Sequence, residues 1–334
     1  MDLKKGKIIL IDFLCPKGHV KFNQNYISHL LLDYDVIFIG KKGYLDEEFV
    51  KSNKFEIIEL NPSYYGSRYK FWFYFKSILN IWRIAFILIK ISKGNRVIIS
   101  SYIEYLLVLC PVFKPSYLIN HNNIDRFLHN FISRYSSKLL NRKHTFVYLN
   151  PNSKSTLKGV GISNLKYWSH GYEDLNNSIN PAKKYIFIPS ANNIDHSLLE
   201  RTLNSTEIEN WVKSKGFQVV IKNNTFRSHK ELIISKDYFT RKEYDHYFSN
   251  ACMILLFYDS RFFVHRVSGI IYEAIALNIP FFYPSNNNFD YLKQALNYNP
   301  EFDNELDLLN KMKKIENLRI SNPNSLQFKV DFSD

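Results

Sequence analysis

The sequence predicts an α/β fold with two doubly wound domains, each built on a parallel sheet covered by helices. Short apolar runs alternate with longer segments of helical period along the 334 residues. Several runs, such as residues 35–39 and 96–99, are apolar almost throughout, which is typical of parallel strands buried on both faces. The alternation begins afresh after a polar, turn-rich stretch at residues 171–184, and the chain is long enough for two domains.

The first domain is predicted to cover residues 1–172 and the second residues 173–320, with a tail at 321–334. In the first domain the apolar runs predict strands at residues 7–12, 35–39, 56–60, 96–100, 116–120, 145–149 and 165–169. In the second they predict strands at 185–188, 217–221, 231–235, 251–257 and 279–283, and helices at 241–250, 267–277, 288–296 and 303–317. Parallel sheets of this kind bind ligands at the carboxyl ends of their strands, and two such halves are expected to leave a cleft between them.

The composition favours a folded, cytoplasmic protein with anionic partners. Hydrophobic residues make up 46% of the chain, which excludes extensive disorder. The formal charge of +13 favours nucleotide diphosphates, nucleic acid or acidic lipid headgroups, without choosing among them. Cys15, Cys110 and Cys252 are odd in number and far apart, so neither a disulfide framework nor a zinc site is predicted. The first apolar run is too short for a signal peptide.

The most informative segment follows the predicted strand at 251–257. A helix is predicted to open at Ser268-Gly269, where free N–H groups and the positive end of the helix dipole suit a phosphate. Arg266 adds a formal charge beside this opening. Glu273 lies about one turn further along, where its carboxylate could accept hydrogen bonds from ribose hydroxyls.

Residues 241–283 resemble the nucleotide-binding signature of GT-B glycosyltransferases of the glycosyltransferase group 1 type. That signature runs from an apolar strand and loop to Ser/Gly, three residues, Glu-Ala and then Gly-x-Pro. The resemblance implies two Rossmann-like domains, a nucleotide-sugar donor and a role in bacterial surface polysaccharide or lipopolysaccharide synthesis. It assigns Glu273 to the ribose, and Arg266, Ser268 and Gly269 to the phosphates.

Two positions depart from the signature. His265 stands where the large retaining group has a second glutamate, so retaining and inverting chemistry both stay open, and His265 is kept as a donor-site residue. Asn278 replaces the glycine before Pro280, where asparagine can serve as a left-handed helix cap.

Further residues are assigned to the cleft by the same resemblance. Lys222 and Arg227, after the strand at 217–221, are similar to the basic pair that neutralises the departing diphosphate, although two solvated cations explain them equally well. His121 resembles the histidine that faces the donor sugar. In the loop after the first strand, Gly18 permits close backbone approach, and His19 could deprotonate an acceptor hydroxyl.

No metal or other cofactor is predicted. Asp33-Tyr34-Asp35 superficially matches the Asp-x-Asp metal site of the other large glycosyltransferase fold. It precedes a strand rather than following one, which puts the carboxylates at the wrong edge of the sheet. It is therefore interpreted as a helix-to-strand turn.

Residues 68–92 predict a helix with a wide apolar face and a narrow polar stripe of Lys76, Asn80, Arg83 and Lys90. The charges argue against a transmembrane span. Two interpretations remain open: a helix lying on a membrane surface, which would suit a lipid-linked acceptor, or a helix packed between the sheet and neighbouring helices.

The expected function is transfer of a sugar from a nucleotide-sugar donor to a glycan or lipid-linked acceptor. A nucleotide-sugar epimerase on the same fold is the close rival. A nucleic-acid binding protein is disfavoured because the basic residues are dispersed and no nucleic-acid binding motif is present. A non-catalytic membrane scaffold on a degenerate transferase fold also stays open.

Overall fold

A computed structural model describes residues 6–16, 19–60, 70–121, 123–171, 185–189, 193–222, 232–314 and 326–332. The chain divides into two compact units. The first domain is Met1–Ser169 together with Phe328–Asp334, and the second is His170–Gln327. Two predicted site residues, Gly18 and Arg227, lie outside the described residues.

The first domain has a sheet of seven parallel strands. They are β1 Lys7–Asp12, β2 Asp35–Lys41, β3 Glu56–Leu60, β4 Arg96–Ser101, β5 Tyr117–Asn120, β6 Thr145–Tyr148 and β7 Leu165–Tyr167. Their order is β3-β2-β1-β4-β5-β6-β7, so the strand order reverses between β1 and β4. All seven strands predicted from the apolar runs are confirmed, with ends shifted by no more than two residues.

Seven helices connect these strands within the described part of the domain. They are α1 Val20–Asp33, α2 Glu47–Ser52, α3 Lys70–Ile91, α4 Glu104–Val108, α5 Asn123–His129, α6 Phe131–Asn141 and α7 Ser153–Gly159. Right-handed crossovers place α1 and α2 on one face of the sheet and α3 to α7 on the other. Buried residues of α3 to α7 accordingly form one hydrophobic cluster with Ile9 and Ile11 of β1. Helix α1 ends at Asp33 and β2 begins at Asp35, as the predicted helix-to-strand turn requires.

The second domain has a six-stranded parallel sheet. Its strands are β8 Tyr185–Ile188, β9 Gln218–Lys222, β10 Ile233–Lys236, β11 Ala251–Leu255, β12 Phe281–Pro284 and β13 Glu301–Phe302. Their order is β10-β9-β8-β11-β12-β13, with the reversal between β8 and β11. The first five strands were predicted, whereas β13 is only two residues long and leaves no pattern in the sequence.

The helices of the second domain include the four predicted at residues 241–250, 267–277, 288–296 and 303–317. In chain order the described helices are α8 His196–Asn204, α9 Thr206–Lys215, α10 Arg241–Ser249, α11 Gly269–Ala276, α12 Asp290–Ala295, which follows a 3-10 turn at Asn287–Phe289, and α13 Glu305–Lys314. Beyond α11, Asn278 has a φ of 54°, which is the left-handed conformation predicted for it. This turn ends the helix and directs the chain into β12.

The described C-terminal segment packs on the first domain. The indole Nε1 of Trp168 donates to the carbonyl oxygen of Asp331 at 2.9 Å, and Phe332 packs edge-on against the Trp168 ring. A pocket of about 450 Å³ lies between this segment, the end of α1 and Arg96 at the start of β4. It is therefore at the amino edge of the sheet, opposite the edge where parallel sheets bind their ligands.

Candidate functional site

The amino end of α11 lies at the carboxyl edge of the second sheet. Residues 256–268 lead from the carboxyl end of β11 to the helix, and β11 borders the point where the strand order reverses. Open parallel sheets bind ligands at such points, because neighbouring loops there diverge to opposite faces and leave a crevice. The topology therefore places the predicted phosphate-binding turn where a ligand is expected.

Ser268 is the N-cap of α11 and holds the turn in shape. Its side chain is buried and accepts a hydrogen bond from the N–H of Ile271. The Tyr258 hydroxyl lies 2.5 Å from the Ser268 hydroxyl. Gly269 is exposed, and no heavy atom would lie within 4 Å of a Cβ built there. Because the first N–H groups of a helix have no helical carbonyl partner, this open end suits an anion.

Glu273 lies one turn inside α11 and is held by Tyr244 of α10. The Tyr244 hydroxyl donates to Glu273 Oε2 at 3.1 Å. Burial raises the pKa of Glu273 to about 7, and the Tyr244 hydrogen bond opposes that rise. The carboxyl group thus changes charge near neutral pH, where a ligand hydroxyl could favour the ionised form. Tyr244 was not singled out from the sequence, since no local pattern links it to a residue on another helix.

The predicted basic residues that the structure describes lie along the same sheet edge as this turn. The Arg266 guanidinium is 6.0 Å from the centre of the Phe263 ring, and the Arg266 carbonyl accepts from Asn288 Nδ2 at 2.7 Å. His265 precedes it and is partly exposed. Lys222 ends β9, two strands from β11, which corresponds to about 10 Å across a sheet. The structure therefore places Arg266 and His265 next to the helix start and Lys222 further along the same edge.

The two histidines predicted for the first domain meet at the carboxyl edge of its sheet. His121 directly follows β5, His19 directly precedes α1, and their ring centres are 4.5 Å apart. The Phe22 ring packs edge-on against the His121 ring, with the two ring centres 4.1 Å apart. Burial lowers the pKa of His19, while the Asp12 carboxylate opposes that shift. The same burial keeps the imidazole of His19 neutral at neutral pH.

Asp12, at the end of β1, organises the loop that carries His19. Its Oδ1 accepts from the Cys15 N–H at 2.6 Å and from the Ser101 hydroxyl, and its Oδ2 accepts from Asn23 Nδ2 at 2.7 Å. The Tyr44 hydroxyl lies 3.4 Å from Oδ2. The sequence analysis did not select Asp12. The available signal was a carboxylate that ends an otherwise apolar buried strand.

No group of three or more His, Cys, Asp and Glu side chains that could hold a metal ion occurs in the part of the chain that the structure describes. The polar residues at both sheet edges are instead hydrogen-bond donors, acceptors and cations.

No protein-family model matches the sequence, and a search of curated proteins finds no match. Solved structures match over nearly the whole chain. A glycosyltransferase from Rickettsia africae has a TM-score of 0.57 at 15% identity, covering 94% of this chain and 88% of the other. A UDP-GlcNAc 2-epimerase from Neisseria meningitidis, bound to UDP-GlcNAc, has a TM-score of 0.57 at 12% identity and covers 95% of each chain. The chain has the GT-B fold.

The resemblance and fold class predicted from the sequence are confirmed. A UDP-N-acetylglucosamine 2-epimerase from Rickettsia bellii has the same architecture. Its TM-score is 0.54 at 16% identity, and the match covers 95% of this chain and 89% of the other. The GT-B fold thus fits a function connected with nucleotide sugars. It does not separate sugar transfer from epimerisation.

Proposed function

We propose that this protein is a cytoplasmic glycosyltransferase that moves a sugar from a nucleotide-sugar donor to a glycan or lipid-linked acceptor in bacterial surface polysaccharide synthesis, such as that of lipopolysaccharide. The observation that carries the proposal is the open, Ser268-capped end of α11 with the Glu273 carboxyl group one turn behind it. Helix starts bind phosphate, and the resemblance to the GT-B signature assigns the glutamate one turn behind such a start to the ribose of the nucleotide.

In the proposed complex the diphosphate lies against the backbone N–H groups of Gly269 and Ile270, with Arg266 supplying a positive charge. Glu273 accepts hydrogen bonds from the ribose hydroxyls once its carboxyl group is ionised. Tyr244 keeps the carboxylate in place by its hydrogen bond to Oε2. A uridine nucleotide is the first donor to test, because the structurally similar Neisseria enzyme binds UDP-GlcNAc.

In the proposed reaction the acceptor oxygen forms a bond to the anomeric carbon as the bond from that carbon to the diphosphate breaks. The leaving group gains negative charge, which Arg266 and Lys222 offset, together with Arg227. His121 contacts the donor sugar, and neutral His19 takes the proton of the acceptor hydroxyl. Gly18 allows the backbone to approach the substrate, His265 borders the donor, and no metal or other cofactor takes part.

Epimerisation of a nucleotide sugar is the second candidate, because epimerases match this fold as well as glycosyltransferases do. The products separate the two activities. Incubation with a uridine diphosphate sugar in the absence of acceptor, followed by NMR, shows a new sugar configuration only if the protein is an epimerase. Transfer instead requires the acceptor and releases the nucleoside diphosphate.

The donor site is tested by calorimetric titration of UDP into the wild type and Glu273→Ala. Two charge-assisted hydrogen bonds, each worth about 1.5 kcal/mol, predict roughly a hundredfold weaker binding in the variant. Glu200→Ala removes an exposed carboxylate from α8 and should bind UDP as the wild type does. Equal affinity of the Glu273 variant and the wild type would remove this residue from the donor site and the main support for the proposal.

A further inference from the structure

Helix α3 has one face committed to the core of the first domain. Ile81, Ile84, Ala85 and Leu88 are buried there with the central strands. Within the described residues, this helix is also long and apolar enough to cross a membrane. In the protein, however, 28% of its most apolar 18-residue stretch is buried. Since the buried face packs on the sheet, the helix lies along the domain and only its outer face is available to a partner.

The outer face of α3 is unusually apolar for a protein surface. Its exposed side chains include a Trp and three Phe, and Phe71 is 71% exposed. At 100° per residue they lie on one side of the helix, away from the buried residues. These residues, called the α3 face below, are Phe71, Trp72, Phe75, Leu79, Phe86 and Ile89.

Helix α6 presents a second set of exposed apolar side chains on the same side of the sheet. Phe131 is 78% exposed, and Ile132 and Tyr135 are exposed beside it. Helix α4 lies between the two helices and packs against both. Its Tyr105 hydroxyl is 3.3 Å from the Tyr74 hydroxyl of α3. The exposed sides of α3 and α6 therefore belong to one layer of helices and face outward together.

The charges along both helices are of one sign. Lys76, Arg83 and Lys90 follow one another at intervals of seven residues along the flank of the α3 face. On α6, Lys138 lies seven residues after Phe131 and is exposed. Neither α3 nor α6 contains an acidic residue. A surface with aromatic side chains, cations and no carboxylates complements an apolar layer that lies under anionic headgroups.

We propose that the α3 face and the exposed residues of α6 form a docking surface for an anionic lipid bilayer. Both helices lie flat on the membrane, their aromatic side chains enter the interface, and the flanking cations contact lipid phosphates. This extends the sequence-based expectation for residues 68–92 to a second helix and to a defined lipid charge. It does not rest on the proposed chemistry, since the surface is composed of residues outside both candidate sites.

The test is co-sedimentation of the full-length protein with vesicles of phosphatidylcholine alone and of phosphatidylcholine mixed with phosphatidylglycerol. The wild type should bind the anionic vesicles preferentially, with affinity falling as salt rises. Neutralising three cations together, Lys76→Gln, Arg83→Gln and Lys90→Gln, should weaken binding roughly a hundredfold, about fivefold for each cation. A matched variant, Lys242→Gln, Lys313→Gln and Lys314→Gln, makes the same charge change on the second domain and should bind as the wild type does.

The apolar contribution is tested with Phe75→Ser combined with Phe86→Ser, both at exposed positions that leave the core intact. Binding should fall by at least about tenfold. Leu32→Ser with Leu306→Ser removes exposed leucines elsewhere and should have no effect. Equal binding by the three-cation variant and its control would overturn the proposal. The proposal would also be overturned if the wild type did not bind the vesicles but formed dimers, and if Phe75→Ser with Phe86→Ser dissociated those dimers. The surface would then be an interface between two copies of the chain.

Discussion

The carboxyl edges of the two sheets each hold a carboxyl group, fully buried at Asp12 and half-buried at Glu273, and the surroundings of the two groups differ. Asp12 in the first domain receives hydrogen bonds from Cys15, Asn23 and Ser101, which hold its side chain in place. Glu273 in the second domain is held by Tyr244, yet burial raises its pKa to about 7.

This difference separates a residue that stabilises the fold from one suited to binding a ligand. Donors around Asp12 come from its own loop, from α1 and from the end of β4, so the carboxylate fastens three parts of the domain together. The environment of Glu273 instead opposes its charge, which costs stability near neutral pH. Perturbed carboxyl groups of this kind concentrate at functional sites.

The largest effect is expected from Asp12→Ala. The substitution leaves several buried donors without their acceptor and should lower the stability of the first domain by about 3 kcal/mol or more. Scanning calorimetry would detect this as a lower melting temperature. Asp237→Ala, at an exposed position, should change stability by less than about 0.5 kcal/mol. If the two variants melt alike, Asp12 does not hold the domain together and the contrast with Glu273 fails.

Glu273→Gln is expected to have the opposite sign. A folded pKa of about 7, above the ordinary value of 4.5, means that the ionised side chain costs folding energy, so the stability of the wild type falls as pH rises from about 4.5 to about 7 and this loss is complete above pH 7. The variant should therefore be more stable than the wild type at about pH 8, by on the order of 2 kcal/mol, and equal to it at about pH 4.

Thermal melts across this pH range measure the difference between the two proteins. Tyr244→Phe sharpens the test. Loss of the hydrogen bond should raise the Glu273 pKa further, so the change in melting temperature should occur at higher pH. A constant difference between wild type and Glu273→Gln at all pH values would show that burial does not oppose the charge.

Gly269→Ala should produce the smallest change in stability and a selective change in binding. The structure has room for the methyl group, so the fold should be unaffected. A diphosphate resting on the helix start would be displaced by the same methyl group, and UDP affinity should fall about tenfold. Gly159→Ala on α7 also enters open space and serves as the matched control. Unchanged UDP affinity in Gly269→Ala would place the phosphates elsewhere.

The elements that carry the candidate donor site could be predicted because they depend on local pattern. Strands buried on both faces leave apolar runs, and the ends of α11 are marked by Ser268 and by the left-handed Asn278. The spacing from Ser268 to Glu273 is likewise a property of one helix. Strand β13 escaped prediction since two residues carry no periodicity.

Contacts between distant residues depended on the tertiary structure. Tyr244 is hydrogen-bonded to Glu273, which lies 29 residues away in the sequence. Ser101 is hydrogen-bonded to Asp12, which lies 89 residues away. These pairs form only once parallel strands have assembled in an order that reverses beside β1 and β8. Which side of α3 faces the core was decided at the same stage, since an apolar helix can bury either side until a sheet selects one. Local sequence thus determined the elements, while strand order determined which of their side chains became neighbours.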